Sequence, residues 1–264
     1  MTTSTAAAPG YVGNLNSSQQ KKLQQLWRIL LQSWDPELSS SELDTRSLAS
    51  DHWLKKTHRR VFSFSRSLPR TTEVETPSIP ANLLSSLKSL GAGANELKAV
   101  QSLLTKVPGE KLRAAFLTLL KQDHPDALLL RFLRAEKWDV PKAWIKFVTA
   151  LNWRVNEYKV DEEVLLKGEA YFLRKSHLID AALGKKDAES FMLQLRIGKG
   201  ILHGVDREGR PIFVIRARTH EPGAQTLKGL NDYIVHCIET MRILMVSPVE
   251  TMVRLEGLSV SQRP

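Results

Sequence analysis

The chain has 264 residues, of which 42% are hydrophobic and 25% charged, and its formal net charge is +10 at pH 7. This length allows one large or two modest globular cores, and no run approaches the ~18 to 20 consecutive apolar residues of a membrane-spanning helix. Residues 1–10 have neither a basic head nor an apolar core, so we expect no secretory signal and an intracellular chain. The single cysteine, Cys237, excludes an internal disulfide and a cysteine-rich zinc site, and we expect it to be buried on a helix.

The positive charge favours an anionic partner, which charge alone leaves open among nucleic acid, a phosphoinositide headgroup and an acidic membrane surface. Six Lys or Arg residues and no acidic residue lie between Lys55 and Arg70, in KKTHRRVFSFSRSLPR. We expect a solvated loop there, with a membrane-touching or phosphorylated segment as the alternative. The run has little aromatic interleaving and no recognisable docking helix, which disfavours nucleic acid as the partner.

The first predicted element is an amphipathic helix in SSQQKKLQQLWRILLQSW, residues 17–34, with Ser17 or Ser18 as its N-cap. From about residue 35 to residue 93 the composition turns to Ser, Thr and Pro. This predicts a long insertion with at most a short helix near Leu83 to Leu90. Helical order returns near residues 94–104 and again in PGEKLRAAFLTLLKQ, which begins at Pro108.

The stretch ALLLRFLRAEKWDVPKAW predicts two helices joined by a tight corner. Asp126 is the expected N-cap of the first helix. Its leucines are expected to face the core, and Arg131 and Arg134 to lie on its solvent-facing side. Asp139 is the expected cap of the second helix, and Pro141 lies in its first turn, where a missing N–H is harmless. Apolar residues at helical spacing continue this helix to residue 158, and a further helical segment is expected around residues 161–173.

The period then changes from helix to strand. KGILHGVDREGRPIFVIRAR reads as strand, turn and strand, and the continuous apolar run Ile212 to Ile215 predicts a strand buried on both faces. Thr226 is the expected cap of a long helix that ends before Pro248, and the start of another strand follows. Its apolar stripe comprises Leu227, Leu230, Ile234, Ile238, Met241 and Met245. Helices followed by a hairpin, a helix and a strand favour an α/β architecture in the second part.

Signatures of catalysis are absent from the sequence. There is no Walker loop and no His-Glu-x-x-His pair, and GAGANE and GKG lack the full dinucleotide-binding pattern, so both are interpreted as turns. His203 falls in a predicted strand, where a structural or edge role is favoured over that of a ligand or base. We therefore expect no cofactor, no metal and no enzymatic activity.

Two stretches together carry a family resemblance. ALLLRFLRAEKWDVPKAW…LNWRV resembles the N-terminal helical motif of the CRAL-TRIO lipid-binding family, and GVDREGRPIFVIRAR resembles the hairpin that opens that family's lipid-binding domain. PGYVGNLNSSQQKKLQQLW is similar to the start of fungal phosphatidylinositol-transfer members. The resemblance covers about residues 10–251, with the insertion interrupting it.

The resemblance implies a non-enzymatic carrier that encloses one lipid in an apolar cavity. Such a cavity shields the acyl chains from water, which is favourable by about 25 cal/mol for each Å² of apolar surface buried. It implies lipid contacts at Leu202, Phe213, Ile215 and Tyr233. It also implies headgroup or membrane contacts at Arg131, Arg134 and Lys137, for which a plain solvated face is the alternative for the two arginines.

Three departures from the family pattern qualify these expectations. Glu136 stands where the family commonly has an arginine, which weakens the case for phosphoinositide binding. Leu202 and Phe213 stand where some members place tyrosines around choline, which disfavours phosphatidylcholine. RLEGLSVSQRP imitates a core motif of the family without its aspartate and then stops, so the sequence is interpreted as C-terminally truncated, with transfer impaired.

The resulting expectation is an N-terminal helical bundle followed by an incomplete CRAL-TRIO α/β domain. Residues 1–16 are expected to be disordered, residues 17–160 to form the helical domain with its insertion, and residues 161–264 to form the partial lipid-binding domain. The expected function is transfer of a phosphatidylinositol-like lipid by a cytoplasmic protein that associates peripherally with membranes. A membrane-surface or protein-interaction module acting through the basic helical front, without lipid uptake, is the alternative.

Overall fold

A computed structural model describes residues 8–35, 81–178, 184–246 and 248–257. The contacts divide the chain into two compact units. The helical unit comprises residues 16–114 and 131–149, and the α/β unit comprises residues 1–15, 115–130 and 150–264. The predicted domain boundary at residue 160 stays a prediction, and the basic run from Lys55 to Arg70 lies outside the described residues.

The helical unit is built from amphipathic helices that bury one leucine-rich face each. Leu26 and Leu30 on the first helix and Leu83 and Leu87 on the second are fully buried, which makes them part of the core that these two contacting helices form. The helices of this part of the chain, three of which also run into the α/β unit, are α1 (Ser17–Trp34), α2 (Ala81–Ser89), α3 (Ala94–Lys106), α4 (Gly109–Leu120), α5 (Pro125–Ala135) and α6 (Val140–Asn152).

Two predicted N-caps differ from those in the structure. Asn16, and not Ser17 or Ser18, caps α1, because its side chain accepts from the Gln19 N–H at 2.9 Å while the Gln19 side chain accepts from the Asn16 N–H at 3.0 Å. Helix α5 begins two residues earlier than the predicted cap implies, with Pro125 in its first position, so Asp126 lies in the first turn.

The corner between α5 and α6 forms as predicted and is closed by backbone hydrogen bonds. The Trp138 N–H donates to the Leu133 carbonyl at 2.7 Å, which satisfies a carbonyl at the end of α5. Asp139 caps α6, because its Oδ1 accepts from the Lys142 N–H at 3.0 Å. Lys137 and Trp138 both have left-handed backbone, with φ of 51° and 66°, which is uncommon for residues that carry a Cβ.

The α/β unit continues α6 into a π-helix, so the predicted stripe from Trp144 to Tyr158 is not one regular helix. The helix of residues 185–196, whose apolar side is buried, was not predicted from the sequence. The unit contains two π-helices (Trp153–Glu157 and Asp161–Leu165), α7 (Gly168–Ser176), α8 (Lys185–Arg196), β1 (Gly200–Val205), β2 (Pro211–Ile215), a 3₁₀ turn (Ala217–Thr219), α9 (Leu227–Leu244) and β3 (Val253–Glu256).

The three strands form one mixed sheet in the order β1, β2, β3, which confirms the predicted hairpin, the following strand and the α/β class. β1 pairs antiparallel with β2, with Leu202 opposite Phe213. β2 pairs parallel with β3, with Val214 opposite Leu255. The parallel pairing requires a crossover, and α9 lies within it.

The two faces of this sheet have different surroundings. Phe213 points towards the helices and is buried, whereas Ile201, Val214 and Leu255 form a row across the opposite face, where Ile201 and Leu255 are exposed. The prediction that β2 is buried on both faces is therefore wrong for the described residues, because only one face carries a helical layer.

The predicted apolar stripe of α9 is also largely exposed. Leu227 is 75% exposed, and Ile234 and Ile238 are each more than 40% exposed, while Tyr233 and Cys237 on the neighbouring face are buried. The helix therefore has two apolar faces, and periodicity could not tell which of them packs. The expected burial of Cys237 is confirmed.

Candidate functional site

The site centres on the contact between the sheet and α9. The Tyr233 hydroxyl donates to the Gly200 carbonyl at 3.0 Å and accepts from the Gly200 N–H at 2.8 Å, which ties the middle of α9 to the first residue of β1. A Cβ at Gly200 would lie 2.5 Å from the Phe213 ring, so glycine is what allows this close approach. Burial raises the pKa of Tyr233, and the neighbouring Cys237 thiol raises it further, so the hydroxyl stays protonated.

The structure brings together the four residues for which lipid contacts are expected. Phe213 and Tyr233 are 8% and 3% exposed and belong to the core cluster of the α/β unit. Leu202 and Ile215 are half-buried and pack against that cluster from β1 and β2. These four residues thus form a packed apolar surface, called the apolar wall below, on which Leu202 and Ile215 are partly exposed.

Aromatic packing and the N-cap of α9 stabilise the helices behind this apolar wall. Phe172 stacks on Phe191 with ring centroids 4.0 Å apart, and Phe191 meets the edge of Tyr233 at 6.0 Å. Thr226 caps α9 as predicted, since its Oγ1 accepts from the Gly229 N–H at 3.1 Å and donates to an Asp187 carboxylate oxygen at 2.6 Å. Helices α8 and α9 are therefore fixed to each other at the start of α9.

A buried ion network fixes the other end of α9. Arg154, only 4% exposed, donates to both Glu239 oxygens at 2.8 and 3.0 Å and to Asp161 at 2.6 Å. Burial alone raises the pKa of Glu239, but the Arg154 hydrogen bonds outweigh it and hold that pKa below its ordinary value. Arg242 adds a contact to Glu239 at 3.3 Å and one to Asp123 at 3.5 Å.

A second polar pair lies nearer the start of α9. The Tyr158 hydroxyl donates to Asp232 at 2.7 Å, and Lys228 pairs with the same carboxylate at 2.9 Å. Burial raises the pKa of Tyr158, and the hydrogen bond to Asp232 raises it further. Neither polar cluster was predicted, because its central pair is distant in the sequence: Tyr158 and Asp232 lie 74 positions apart, and Arg154 and Glu239 lie 85 positions apart. The sequence contains one local indication of these clusters, the Trp153-Arg154 pair in LNWRV, which was cited there only for the family resemblance.

The basic residues for which headgroup contacts are expected lie around the α5–α6 corner. Arg131 and Arg134 are half-buried on α5, and Lys137 is exposed in the corner itself. Glu136, which departs from the family pattern, pairs with Lys146 on α6 at 2.5 Å. The carboxylate therefore neutralises a cation of the same unit, which reduces the positive charge beside Lys137.

A groove of about 420 Å³ lies in the helical unit and was not predicted from the sequence. Ala99 and Ile145 give it an apolar floor, and Glu136 and Lys146 stand at its side as an ion pair. Two further charged side chains of its lining, Lys142 and Glu96, contact Asp139 and the Gly93 N–H respectively.

Comparison with known proteins gives two family matches that follow the observed order of elements. Residues 96–156 match the CRAL/TRIO N-terminal domain, and residues 195–260 match the CRAL/TRIO domain. The first match covers α3 to α6 and most of the first π-helix, and the second contains the three-stranded sheet and α9. The two matches confirm the resemblance of the chain to the CRAL/TRIO family in both of these segments.

Two fungal relatives support the same resemblance. The chain is 30% identical over 267 aligned residues, 96% of its length, to the phosphatidylinositol transfer protein CSR1 of Eremothecium gossypii, of which the match covers 58%. It is 31% identical over 90% of its length to a CRAL-TRIO domain-containing protein of Schizosaccharomyces pombe, of which the match covers 51%. The chain spans about half the length of the relatives it matches.

The described residues contain neither a membrane-spanning helix nor a cluster of metal-ligating side chains. None of the helices described is both long and apolar enough to cross a membrane. Among the same residues, no three His, Cys, Asp or Glu side chains come together in a way that could hold a metal ion.

Proposed function

We propose that the chain binds a phospholipid, most closely a phosphatidylinositol-like one, and transfers it between membranes without catalysing a reaction. The observation that carries the proposal is its 30% identity, over 96% of its length, with a protein named for phosphatidylinositol transfer. A carrier of this kind needs apolar side chains that replace water around acyl chains and no reacting group.

In this proposal the apolar wall of the α/β unit contacts the acyl chains. Leu202 and Ile215 are only half-buried, so their side chains have surface left for a ligand. Phe213 and Tyr233 lie deeper and hold these two in place from below. Because the Tyr233 hydroxyl is already paired with the Gly200 backbone, the wall offers apolar contact rather than a hydrogen bond at that point.

The headgroup and membrane contacts are assigned to Arg131, Arg134 and Lys137. Lys137 is exposed beside Trp138 in a corner with left-handed backbone, and a lysine next to a tryptophan suits a membrane interface. The proposed location is the cytoplasm, with transient contact to acidic membrane surfaces. The same corner favours the second candidate function, a membrane-binding module that takes up no lipid.

Lipid extraction from vesicles tests the proposal. The purified chain is incubated with vesicles that contain labelled phosphatidylinositol or labelled phosphatidylcholine and is then separated from them by gel filtration. We expect phosphatidylinositol to elute with the protein, and an Ile215→Asp variant to carry much less of it. The exposed Ile238 on α9 serves as the matched control, and Ile238→Asp should extract lipid as the unmodified chain does.

One outcome would reject lipid transfer, and another would reject the assignment of the apolar wall. A folded chain that carries neither lipid, while binding acidic vesicles in a salt-sensitive way, would favour the membrane-binding module instead. Equal extraction by the Ile215→Asp and Ile238→Asp variants would remove the assignment of the apolar wall.

A further inference from the structure

Four basic side chains of the α/β unit lie where the helix α8, the two hairpin strands and the 3₁₀ turn meet. Lys199 directly precedes β1, Arg216 directly follows β2, and Arg218 and His220 lie within and just after the 3₁₀ turn. The Arg216 N–H donates to the Lys199 carbonyl at 2.8 Å, so the two cations face each other across the hairpin. Like charges placed opposite each other on neighbouring strands are destabilising when nothing compensates them.

None of these four basic side chains forms an ion pair in the part of the chain that the structure describes. The Lys199 ammonium contacts His220 Nδ1 at 2.9 Å, and Arg216 Nη1 donates to the Ile197 carbonyl at 3.1 Å. The neighbouring carboxylate in the sequence, Glu221, is exposed and forms no ion pair among the described residues. By contrast, the buried Arg154 pairs with Glu239, and the half-buried Lys167 pairs with Glu163.

Burial of Lys199 is not offset by any negative group. Burial lowers the pKa of Lys199, and no carboxylate opposes this effect. Lys167, which is also partly buried, shows the opposite result, because its hydrogen bond to Glu163 outweighs burial and raises its pKa. An ammonium that loses water without gaining a counter-charge is destabilised, and an anion bound beside it would remove that cost.

The hydrogen-bonding groups of this corner are donors. An ammonium has no acceptor, so Lys199 donates to His220 Nδ1, and the imidazole then carries its proton on Nε2. Lys199 and Arg216 each keep further N–H groups beyond the contacts described, and Gln225 Nε2 faces the same histidine at 3.5 Å. Several donors with positive charge suit an oxyanion that presents several acceptor oxygens, which is the chemistry of a phosphate group.

We propose that Lys199, Arg216 and His220, with Arg218 beside them, form a binding site for a phosphate group. The phosphate belongs either to a lipid headgroup or to a free phosphate ion, and both present the same oxygens. The site does not depend on lipid uptake by the apolar wall, so it can hold whether or not the chain transfers lipid.

Phosphate titration of the full chain tests the site. Inorganic phosphate is added at constant ionic strength while the His220 ring nitrogens are followed by NMR, with chloride as the reference anion. In parallel, the chain is sedimented with vesicles of phosphatidylcholine alone and of phosphatidylcholine mixed with phosphatidic acid. Shifts with free phosphate identify the ion as a ligand, whereas sedimentation with the acidic vesicles alone identifies the lipid headgroup.

Charge-removing variants decide whether the binding belongs to this corner. Lys199→Gln and Arg218→Gln should each weaken binding by about fivefold, since one basic residue near an anionic surface contributes about that factor. Arg218 has no described structural contact through its side chain, so its variant keeps the test valid if Lys199→Gln folds poorly. Lys167→Gln removes the same charge from a cation paired with Glu163 and should bind as the unmodified chain does.

The proposal is overturned if the unmodified chain binds neither phosphate nor acidic vesicles. It is equally overturned if binding occurs but Lys199→Gln and Arg218→Gln bind as tightly as Lys167→Gln. Loss of lipid extraction with intact phosphate binding would reject the transfer function and leave this site standing.

Discussion

Arg154 and Glu239, 85 positions apart in the sequence, form a bidentate ion pair, with Nη1 to Oε1 at 2.8 Å and Nη2 to Oε2 at 3.0 Å. Both side chains are buried, and Asp161 holds the guanidinium from its other side. The pair joins the first π-helix to α9, the helix that also carries Tyr233 and the contact with β1. The position of α9 on the sheet therefore depends on a charge pair as well as on apolar packing.

Removing one partner of this pair should destabilise the α/β unit strongly. We expect Glu239→Gln to lower the free energy of unfolding by about 3 to 5 kcal/mol, because the Arg154 charge would stay buried without its main partner. Urea unfolding followed by circular dichroism measures this. Glu169→Gln is the control, since Glu169 pairs with His236 at 3.1 Å but is largely exposed, and its loss should cost less than about 1 kcal/mol. Equal effects of the two variants would contradict the assigned role.

Acid should remove the contribution of Glu239 in a defined direction. Its pKa in the folded chain lies below the ordinary value of 4.5, so the unfolded chain takes up a proton first as the pH falls. The stabilisation is fully present above about pH 4.5 and is lost as the pH drops through the lowered pKa. Urea unfolding at a series of pH values between neutral and acidic should therefore show falling stability at the acidic end. Glu239→Gln should show a shallower fall, and an unchanged slope would contradict the prediction.

Close packing of α8 against α9 depends on Gly229. A Cβ at this position would lie 2.5 Å from Ser190 Cβ and would also meet the Asp187 carbonyl, which is backbone. We expect Gly229→Ala to lower the free energy of unfolding by about 1 to 3 kcal/mol through overpacking, although alanine is the better helix former. Gly257→Ala is the control, because a Cβ there would make an ordinary contact at 3.7 Å. A stabilising effect of Gly229→Ala, seen by thermal unfolding, would show that the helices can separate without cost.

The α5–α6 corner should show a trade between stability and binding. Lys137 has a φ of 51°, so Lys137→Gly should stabilise the chain by about 1 kcal/mol by relieving a left-handed backbone that disfavours a Cβ. The same change removes the exposed cation and should weaken salt-sensitive binding to acidic vesicles. Lys137→Gln separates the two effects, because it removes the charge and keeps the Cβ. Vesicle binding that is equal for all three proteins would exclude the corner as a membrane contact.

Much of the local structure follows from the sequence because its causes are local. Asp139 and Thr226 were predicted as caps and act as caps, since a side-chain oxygen near the start of a helix needs only its neighbours' N–H groups. The hairpin around Gly209 was predicted from turn residues and β-branched neighbours, and it forms between β1 and β2. The resemblance to the CRAL/TRIO family could also be recognised from the sequence, because the motifs that carry it are short and continuous.

The tertiary structure alone decided which apolar face is covered and which charges meet. Both faces of α9 carry apolar side chains, and the contacts of Tyr233 with Gly200 and of Glu239 with Arg154 lie on the one that packs. Arg154 and Glu239 pair across 85 positions, and Lys199 and Arg216 face each other without a carboxylate, because the fold and not the spacing sets their separation. Periodicity and capping act within a few residues, whereas burial and Coulomb energy depend on distances that exist only after the chain has folded.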